Sequence, residues 1–346
     1  MKPLLSVIIP TYNRIDRLKE TFPLLMKERS NEIEFIVLDN SSGDGTEDYI
    51  KSFINIDSRI RYIKNQTNIG ANRSIYRGYL ESKSNWICFI PDDDFIEKGF
   101  LTELTEVIGK NQDCGVIFNA NVDNIALNHT SSRRIKSGIE ALKVSFNLSG
   151  VITGLTFNKK YIKQEYWTLD NSIYPQIGLA VNLSLTNDIY IHLPKNKIII
   201  GKEDSIDSIV NSRLIDYGII ERLEILMKAS KKIKKNQRSN IKHTLSAGLF
   251  LWAIDNAKLM YVNNKEHTLK YIKSLLKHKF INSSMSFHGI LIFKFILNKK
   301  INLRFKISVG FKILKSISLS IFNKNLYHSS YYILCNFKRL KMKINT

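Results

Sequence analysis

Three short aliphatic runs, LLSVIIP at Leu4–Pro10, EFIVL at Glu34–Leu38 and WICFI at Trp86–Ile90, each stop abruptly in a polar loop. A strand with one solvated face alternates apolar and polar residues. A continuous run belongs to a strand buried on both faces, as in a parallel sheet covered by helices. Helical patterns fill the intervals. Asn13 is placed to cap a helix through about Lys27, with Leu18, Phe22 and Leu25 on one face. A helix over Thr46–Phe53, a strand over Ile60–Lys64 and a helix over Ala71–Ser82 follow. Alternation at this spacing predicts a doubly wound α/β sheet. Beyond it, Gly115–Asn119 and Gly150–Phe157 read as strands, Ile173–Thr186 as a helix and Ile189–Ile200 as extended segments.

Ligands of doubly wound sheets sit beyond the carboxyl ends of the strands. Three loops leave those ends: Pro10–Arg14, Asp39–Gly45 and Pro91–Phe95. The third carries Asp92, Asp93 and Asp94. Adjacent carboxylates repel when ionised, and a divalent ion such as Mn²⁺ or Mg²⁺ relieves this, taking its remaining oxygens from substrate phosphates. A solvated acidic turn at a helix N-terminus explains the same triplet. In the first loop, Tyr12 offers a flat face for a nucleobase and Thr11 a hydroxyl, although a simple turn with an Asn cap needs no ligand. Asp39 can accept a hydrogen bond from a base or ribose, or close an Asx turn.

Taken in order, SVIIPTYNR, IVLDNSSGDGT, NIGANRSIYRG and FIPDDD resemble the inverting glycosyltransferase family 2, of GT-A fold, closely over residues 4–100 and loosely to about 205. The resemblance implies a mixed, doubly wound GT-A sheet and a nucleotide-sugar donor. It puts the donor against Pro10, Thr11, Tyr12, Arg14, Asp39, Asn68, Gly70, Arg73, Arg77, Asp92 and Asp93. Thr11 and Tyr12 would contact the base and Asp39 would hydrogen-bond it. Asn68, Gly70 and Arg73 or Arg77 would line the phosphate and ribose side. It also implies a divalent metal, Mn²⁺ or Mg²⁺, at Asp92, Asp93 and Asp94. The common pattern of that family is Asp-x-Asp-Asp, and Pro91 stands where its first aspartate falls. Which two of the three aspartates meet the ion is therefore open. The three-aspartate form is similar to a branch that builds bacterial O-antigens, including transferases of dideoxy sugars.

An inverting transfer needs a carboxylate to take the acceptor hydroxyl proton. Glu203-Asp204 has the dipeptide that the resemblance leads one to expect, with Asp204 lying 110 residues past Asp94. Asp170, ahead of a helix that carries Gln176 where an acid is expected, is the second candidate, and Asp188 a third. Asp39 suits uracil, whose N3 donates, more simply than cytosine. The dideoxy-sugar resemblance points instead to cytidine nucleotides.

Charge divides the chain. Through residue 220 there are 26 Lys and Arg against 27 Asp and Glu; from 221 onward there are 26 against 4. The reading is a catalytic domain over 1–220 and a basic helical C-terminal region over 221–346, with the boundary near 215–225. Segments such as YIKSLLKHKF and ILIFKFILNKK mix Lys with Ile, Leu and Phe, the pattern of helices lying on an anionic membrane surface. A lipid-linked oligosaccharide acceptor at the inner face of the cytoplasmic membrane suits both this region and the resemblance. The neutral N-terminal part and the lack of a recognition motif argue against nucleic acid. Met1-Lys2-Pro3 runs straight into a strand without a signal-peptide core, and no apolar run reaches the ~18 residues of a spanning helix. The expected location is cytoplasmic, peripheral on the membrane. Cys88, Cys114 and Cys335 lack metal or disulfide spacing, the histidines show no metal spacing, and Walker, GxGxxG and GxSxG motifs are absent. Two other readings keep the basic character or the sheet. A sugar-1-phosphate nucleotidyltransferase would be expected to carry a Gly-rich, Arg-containing loop in place of PTYNR; a non-enzymatic basic membrane adaptor would bind no sugar nucleotide.

Overall fold

A computed structural model describes residues 2–120, 131–167, 175–201 and 214–235. The chain divides into two compact units, Met1–Ile225 and Leu226–Thr346. In chain order the described elements are β1 (Leu5–Thr11), α1 (Ile15–Leu25), β2 (Ile33–Asp39), α2 (Thr46–Ile54), β3 (Ile60–Lys64), α3 (Ala71–Glu81), β4 (Trp86–Phe89), β5 (Phe95–Ile96) and α4 (Phe100–Lys110). They continue with β6 (Val116–Asn119), β7 (Arg133–Ile135), α5 (Ile139–Leu148), β8 (Thr156–Asn158), α6 (Pro175–Thr186), β9 (Ile189–His192), β10 (Ile198–Ile199) and α7 (Leu214–Lys231).

Eight strands form one sheet in the order β3-β2-β1-β4-β8-β6-β9-β7. β1 lies parallel to β2 and β4, and β2 to β3. β8 is antiparallel to both β4 and β6, so β6, and β9 beside it, share the direction of β1. A separate two-stranded ribbon pairs β5 with β10.

The continuous apolar runs are explained by burial on both faces. Leu5, Val7 and Ile9 of β1 point into one cluster with Leu18 and Phe22 of α1, Ile50 of α2 and Leu104 of α4. Ile8 points the other way, into a cluster with Ile75 of α3, Ala141 of α5 and Leu183 of α6. Gly78 lets α3 settle closely on the sheet, since a Cβ there would stand 2.6 Å from Ile8 Cγ2. The doubly wound GT-A-type expectation holds.

Some local expectations do not. Asn13 is not the cap of α1. It takes a left-handed φ of 50°, and its side-chain oxygen accepts the Gly43 amide; Asp44 instead accepts the Ile15 amide at the helix start. The stretch Gly150–Phe157 is not one strand. Only Thr156–Asn158 joins the sheet, while Thr153 makes an isolated bridge to Phe89. Ile189–Ile200 resolves into β9 and β10, which belong to different sheets. Helices α4 and α5 add to the expectation. In α4, Phe100, Leu101, Leu104 and Ile108 are buried at helical spacing, and the buried Glu28 accepts from the Gly99 amide and from Thr102 at its start.

Cys88 and Cys114 are buried free thiols. Burial pushes their pKa values up to about 12 and about 11, so both are inert packing residues. Cys335 lies outside the described residues. No helix among the described residues is long and apolar enough to cross a membrane.

Candidate active site

The strand order reverses at β1: β2 follows on one side and β4 lies on the other. Such a switch point opens a crevice beyond the carboxyl ends of the two strands, and the polar loops meet there. Thr11, at the end of β1, donates to Asp92 Oδ2 at 2.7 Å. Arg14 Nη1 donates to Asp92 Oδ1 at 3.3 Å and to Asp93 Oδ2 at 2.7 Å. Thr21 on α1 fixes the backbone carbonyl of Asp92 at 2.8 Å. The first and second loops are joined as firmly, through Asn13 N to Ser42 Oγ at 2.9 Å and Asn40 N to Thr11 O at 2.9 Å.

The three aspartates have separate surroundings. Asp92 is buried with both oxygens bonded, and burial raises its pKa against the pull of Thr11 and Arg14. Asp94 is buried too. It accepts from Thr153 and, at Oδ1, from the Gly201 amide at 2.8 Å. Burial pushes its pKa up to about 6 despite those two donors. Asp93 is the open one: its side chain is 30% exposed, against 4% for Asp92. Among the described residues no group of three His, Cys, Asp or Glu side chains is placed to hold a metal ion. The triplet therefore does not form a three-carboxylate cage. The donor set fits an ion held by one or two carboxylates and completed by phosphate and water oxygens, which is how Mg²⁺-type ions are bound beside substrate phosphates.

The remaining expected donor contacts fall on the same edge with differing exposure. Pro10 is half-buried at the end of β1, and Tyr12 stands 43% exposed beside it, its ring open for stacking. Asp39 is fully buried. Its Oδ1 accepts the Ser42 amide at 2.8 Å and its Oδ2 accepts from Tyr62; burial and the Asp39 charge together raise the Tyr62 pKa. Asp39 is thus engaged by the protein's own donors. Asn68 is exposed and bridges Asn40 Nδ2 at 2.7 Å to the Gly70 amide at 2.9 Å, where α3 starts. Arg73 is exposed on the first turn of that helix. Arg77 turns back onto the Lys64 carbonyl at 3.0 Å and Asn65 Oδ1 at 2.5 Å.

Of the base candidates, Asp170 and Asp204 lie outside the described residues. Asp188 lies on the wrong edge. It precedes the first residue of β9, at the end of the sheet opposite the aspartates, and is held by Arg134 at 2.8 Å and Lys136 at 3.2 Å. Gln176 is buried in the first turn of α6. Gly201, the last described residue before Asp204, sits against the aspartate loop. A Cβ on it would stand 2.0 Å from the Asp93 carbonyl oxygen.

Several residues of this edge were not singled out from the sequence: Thr153, Gly201, Tyr62 and the trio Asn119, His192 and Glu103. His192 is buried, with Nδ1 2.8 Å from Asn119 Oδ1 and Nε2 3.3 Å from Glu103 Oε1. Burial lowers its pKa more than Glu103 raises it. Asn119 in turn donates to the Gly154 carbonyl, next to Thr153. The local signal was faint, a threonine-glycine pair and single polar residues at strand ends.

Residues 6–167 match the family model described as glycosyl transferase family 2. A GalNAc(5)-diNAcBac-PP-undecaprenol beta-1,3-glucosyltransferase of Campylobacter jejuni is 25% identical over 274 residues, covering 75% of this chain and 86% of the relative. Several further glycosyltransferases match over about a third of this chain and less than half of their own length. Among solved structures, residues 1–349 of TarS from S. aureus, in complex with UDP-GlcNAc, superpose with a TM-score of 0.63 at 16% identity, covering 82% of each chain. The mannosyltransferase PcManGT from Pyrobaculum calidifontis, in complex with GDP-Man and Mn²⁺, gives 0.53 at 12% identity, covering 82% of this chain and 84% of that one. At these identities the two structures speak to the fold.

Proposed function

We propose that this chain, residues 6–167 of which match glycosyl transferase family 2, is a glycosyltransferase of that family and moves a sugar from a nucleotide-sugar donor to a hydroxyl of a lipid-linked oligosaccharide in cell-surface (O-antigen) polysaccharide synthesis. The reaction is proposed to be metal-dependent and to invert the anomeric centre. The observation that carries the donor site is the bridge across the sheet's switch point, where Thr11 and Arg14 of one loop grip Asp92 and Asp93 of another. The Campylobacter relative, named for an undecaprenol-linked oligosaccharide, supports the acceptor class. The Pyrobaculum neighbour, solved with Mn²⁺, has the same fold.

Asp93, with Asp92 behind it, is the group proposed to hold the ion. A bound divalent ion would neutralise the diphosphate and stabilise it as the leaving group. The chain's own residues do the rest. Tyr12 offers its face to the base, and Asn68 and the Gly70 amide line the approach to α3, whose N-terminus favours an anion. Asp204 is proposed as the base that removes the acceptor proton, with Asp170 as the second candidate. Gly201 supports the first choice. It is fixed to Asp94, and Asp204 follows it by three residues in the sequence.

The experiment is a thermal-shift screen of UDP, GDP, CDP and dTDP with and without Mn²⁺, followed by hydrolysis of the matching sugar nucleotide. A nucleotide at about a hundred times its dissociation constant adds ~2.7 kcal/mol of stability and raises Tm measurably. No shift with any nucleotide, together with no hydrolysis of any sugar donor, would sink the assignment.

The region 221–346, with 26 basic and 4 acidic residues, is proposed to dock on the anionic inner face of the cytoplasmic membrane, bringing domain 1–220 to its acceptor. Sedimentation with phosphatidylserine-containing vesicles should be strong at low salt and fall steeply as salt rises. Protein that stays in the supernatant at low salt rules this docking out.

A further inference from the structure

We infer that Arg14 is an internal counter-cation: it neutralises Asp92 and Asp93 while the site is empty and gives them up only when nucleotide and ion arrive together. The inference rests on the reading of this edge as a metal-dependent donor site. Two neighbouring carboxylates facing one crevice repel each other unless a cation lies between them. Here one guanidinium nitrogen reaches both, at 3.3 Å to Asp92 Oδ1 and 2.7 Å to Asp93 Oδ2.

Thr11 takes the other oxygen of Asp92. A divalent ion that drew on both carboxylates would compete with the guanidinium for Asp92 Oδ1 and lie beside its positive charge at Asp93, and arriving alone it has no phosphate oxygen to complete its shell. A nucleoside diphosphate changes both terms. It supplies oxygens to the ion and gives the planar guanidinium a bidentate anionic partner.

The exchange is a side-chain movement. The Arg14 side chain is 47% exposed whereas that of Asp92 is 4% exposed, so the arginine is the partner free to swing. Its backbone is held on both sides, by Asn13 to Ser42 at 2.9 Å and to Gly43 at 2.9 Å, and by Ile15 to Asp44 at 2.8 Å. Loading of ion and nucleotide is then coupled, and the coupling is reciprocal.

The test is Mn²⁺ binding followed by electron paramagnetic resonance, with no sugar donor and no turnover. Wild type, Arg14→Gln and Arg14→Lys are titrated with Mn²⁺ alone and with UDP, GDP, CDP or dTDP. Wild type should bind Mn²⁺ weakly alone and at least ~10-fold more tightly with the matching nucleotide. Arg14→Gln should bind Mn²⁺ alone at least ~5-fold more tightly than wild type and lose most of the nucleotide enhancement. Arg14→Lys keeps a cation and should bind Mn²⁺ alone as weakly as wild type, with a smaller nucleotide enhancement because an ammonium cannot pair bidentately with the diphosphate. If Arg14→Gln binds Mn²⁺ alone no better than wild type, while wild type shows the enhancement, the counter-cation role is wrong and the donor site stands. If wild type retains no Mn²⁺ with any of the four nucleotides, the metal-site reading falls and this inference falls with it.

Discussion

Replacing Gly201 by alanine should lower glycosyl transfer by at least ~100-fold while the protein still folds. The added methyl would lie 2.0 Å from the Asp93 carbonyl oxygen and 2.9 Å from its carbonyl carbon. These are backbone atoms, so no rotamer change relieves the overlap. Either the Asp93 peptide or the chain at Gly201 must move by more than an ångström. Movement of that size also breaks the bond from the Gly201 amide to Asp94, and a hydrogen bond to a charged group contributes roughly 1.5–3 kcal/mol. A 1 Å misplacement in a catalytic constellation costs about 100-fold in rate, and on the proposed reading the shift moves the aspartate loop that holds the ion. Gly109→Ala is the control. It lies in α4 with nothing within 4 Å of a Cβ, so it should keep full activity and gain up to ~1 kcal/mol from helix propensity. Transfer assays with circular dichroism melts separate the two variants. Wild-type turnover in folded Gly201→Ala would show that this contact has no part in the reaction.

That contact could not have been read from the sequence, and the reason is physical. Parallel strands buried on both faces must be continuously apolar, so β1, β2 and β4 announce themselves at Leu5–Thr11, Ile33–Asp39 and Trp86–Phe89. Their carboxyl ends then fix which loops converge, before any side chain is placed. Asp94 and Gly201 meet across 107 residues, through the two-residue strands β5 and β10, which are too short to give a periodic signal. The same holds for β8. Its three residues run antiparallel between parallel strands, and the preceding Gly150–Leu155 has a strand-like composition yet meets the sheet only through the isolated Thr153–Phe89 bridge.

The division of labour among the aspartates is a matter of burial that adjacency in sequence conceals. Three consecutive residues in a turn point in different directions, so Asp92 and Asp94 go inward to Thr11 and Thr153 while Asp93 faces outward. Asn13 failed as a cap for a related reason. An Asn side chain serves whichever amide the tertiary fold presents, and Gly43 of the neighbouring loop is the one it meets.

Asp93→Asn should separate catalysis from stability more cleanly than any other change in the triplet. The Asp93 side chain is 30% exposed, and its ion pair is with an arginine that is itself 47% exposed. Pairs of that kind contribute at most ~1 kcal/mol, so the melting temperature should move by no more than a few degrees. On the proposed reading, the same change removes the carboxylate most available to the ion. The loss of transition-state charge stabilisation should lower kcat/KM by roughly 100- to 1,000-fold, the range found when one electrostatic group is deleted from an active site. Asp94→Asn should behave differently. Its carboxylate is buried and accepts from both Thr153 and Gly201, so an amide that keeps its oxygen on the Gly201 N–H turns its NH₂ to Thr153, whose hydroxyl must reverse to acceptor and find a new partner for its own proton, at ~1–3 kcal/mol if it finds none. That variant should lose stability along with activity. Melting curves and transfer rates measured on both variants decide the matter. If Asp93→Asn keeps activity within a few-fold of wild type while Asp94→Asn loses it, the ion rests on Asp94, and Thr153 and Gly201 must release it when donor binds.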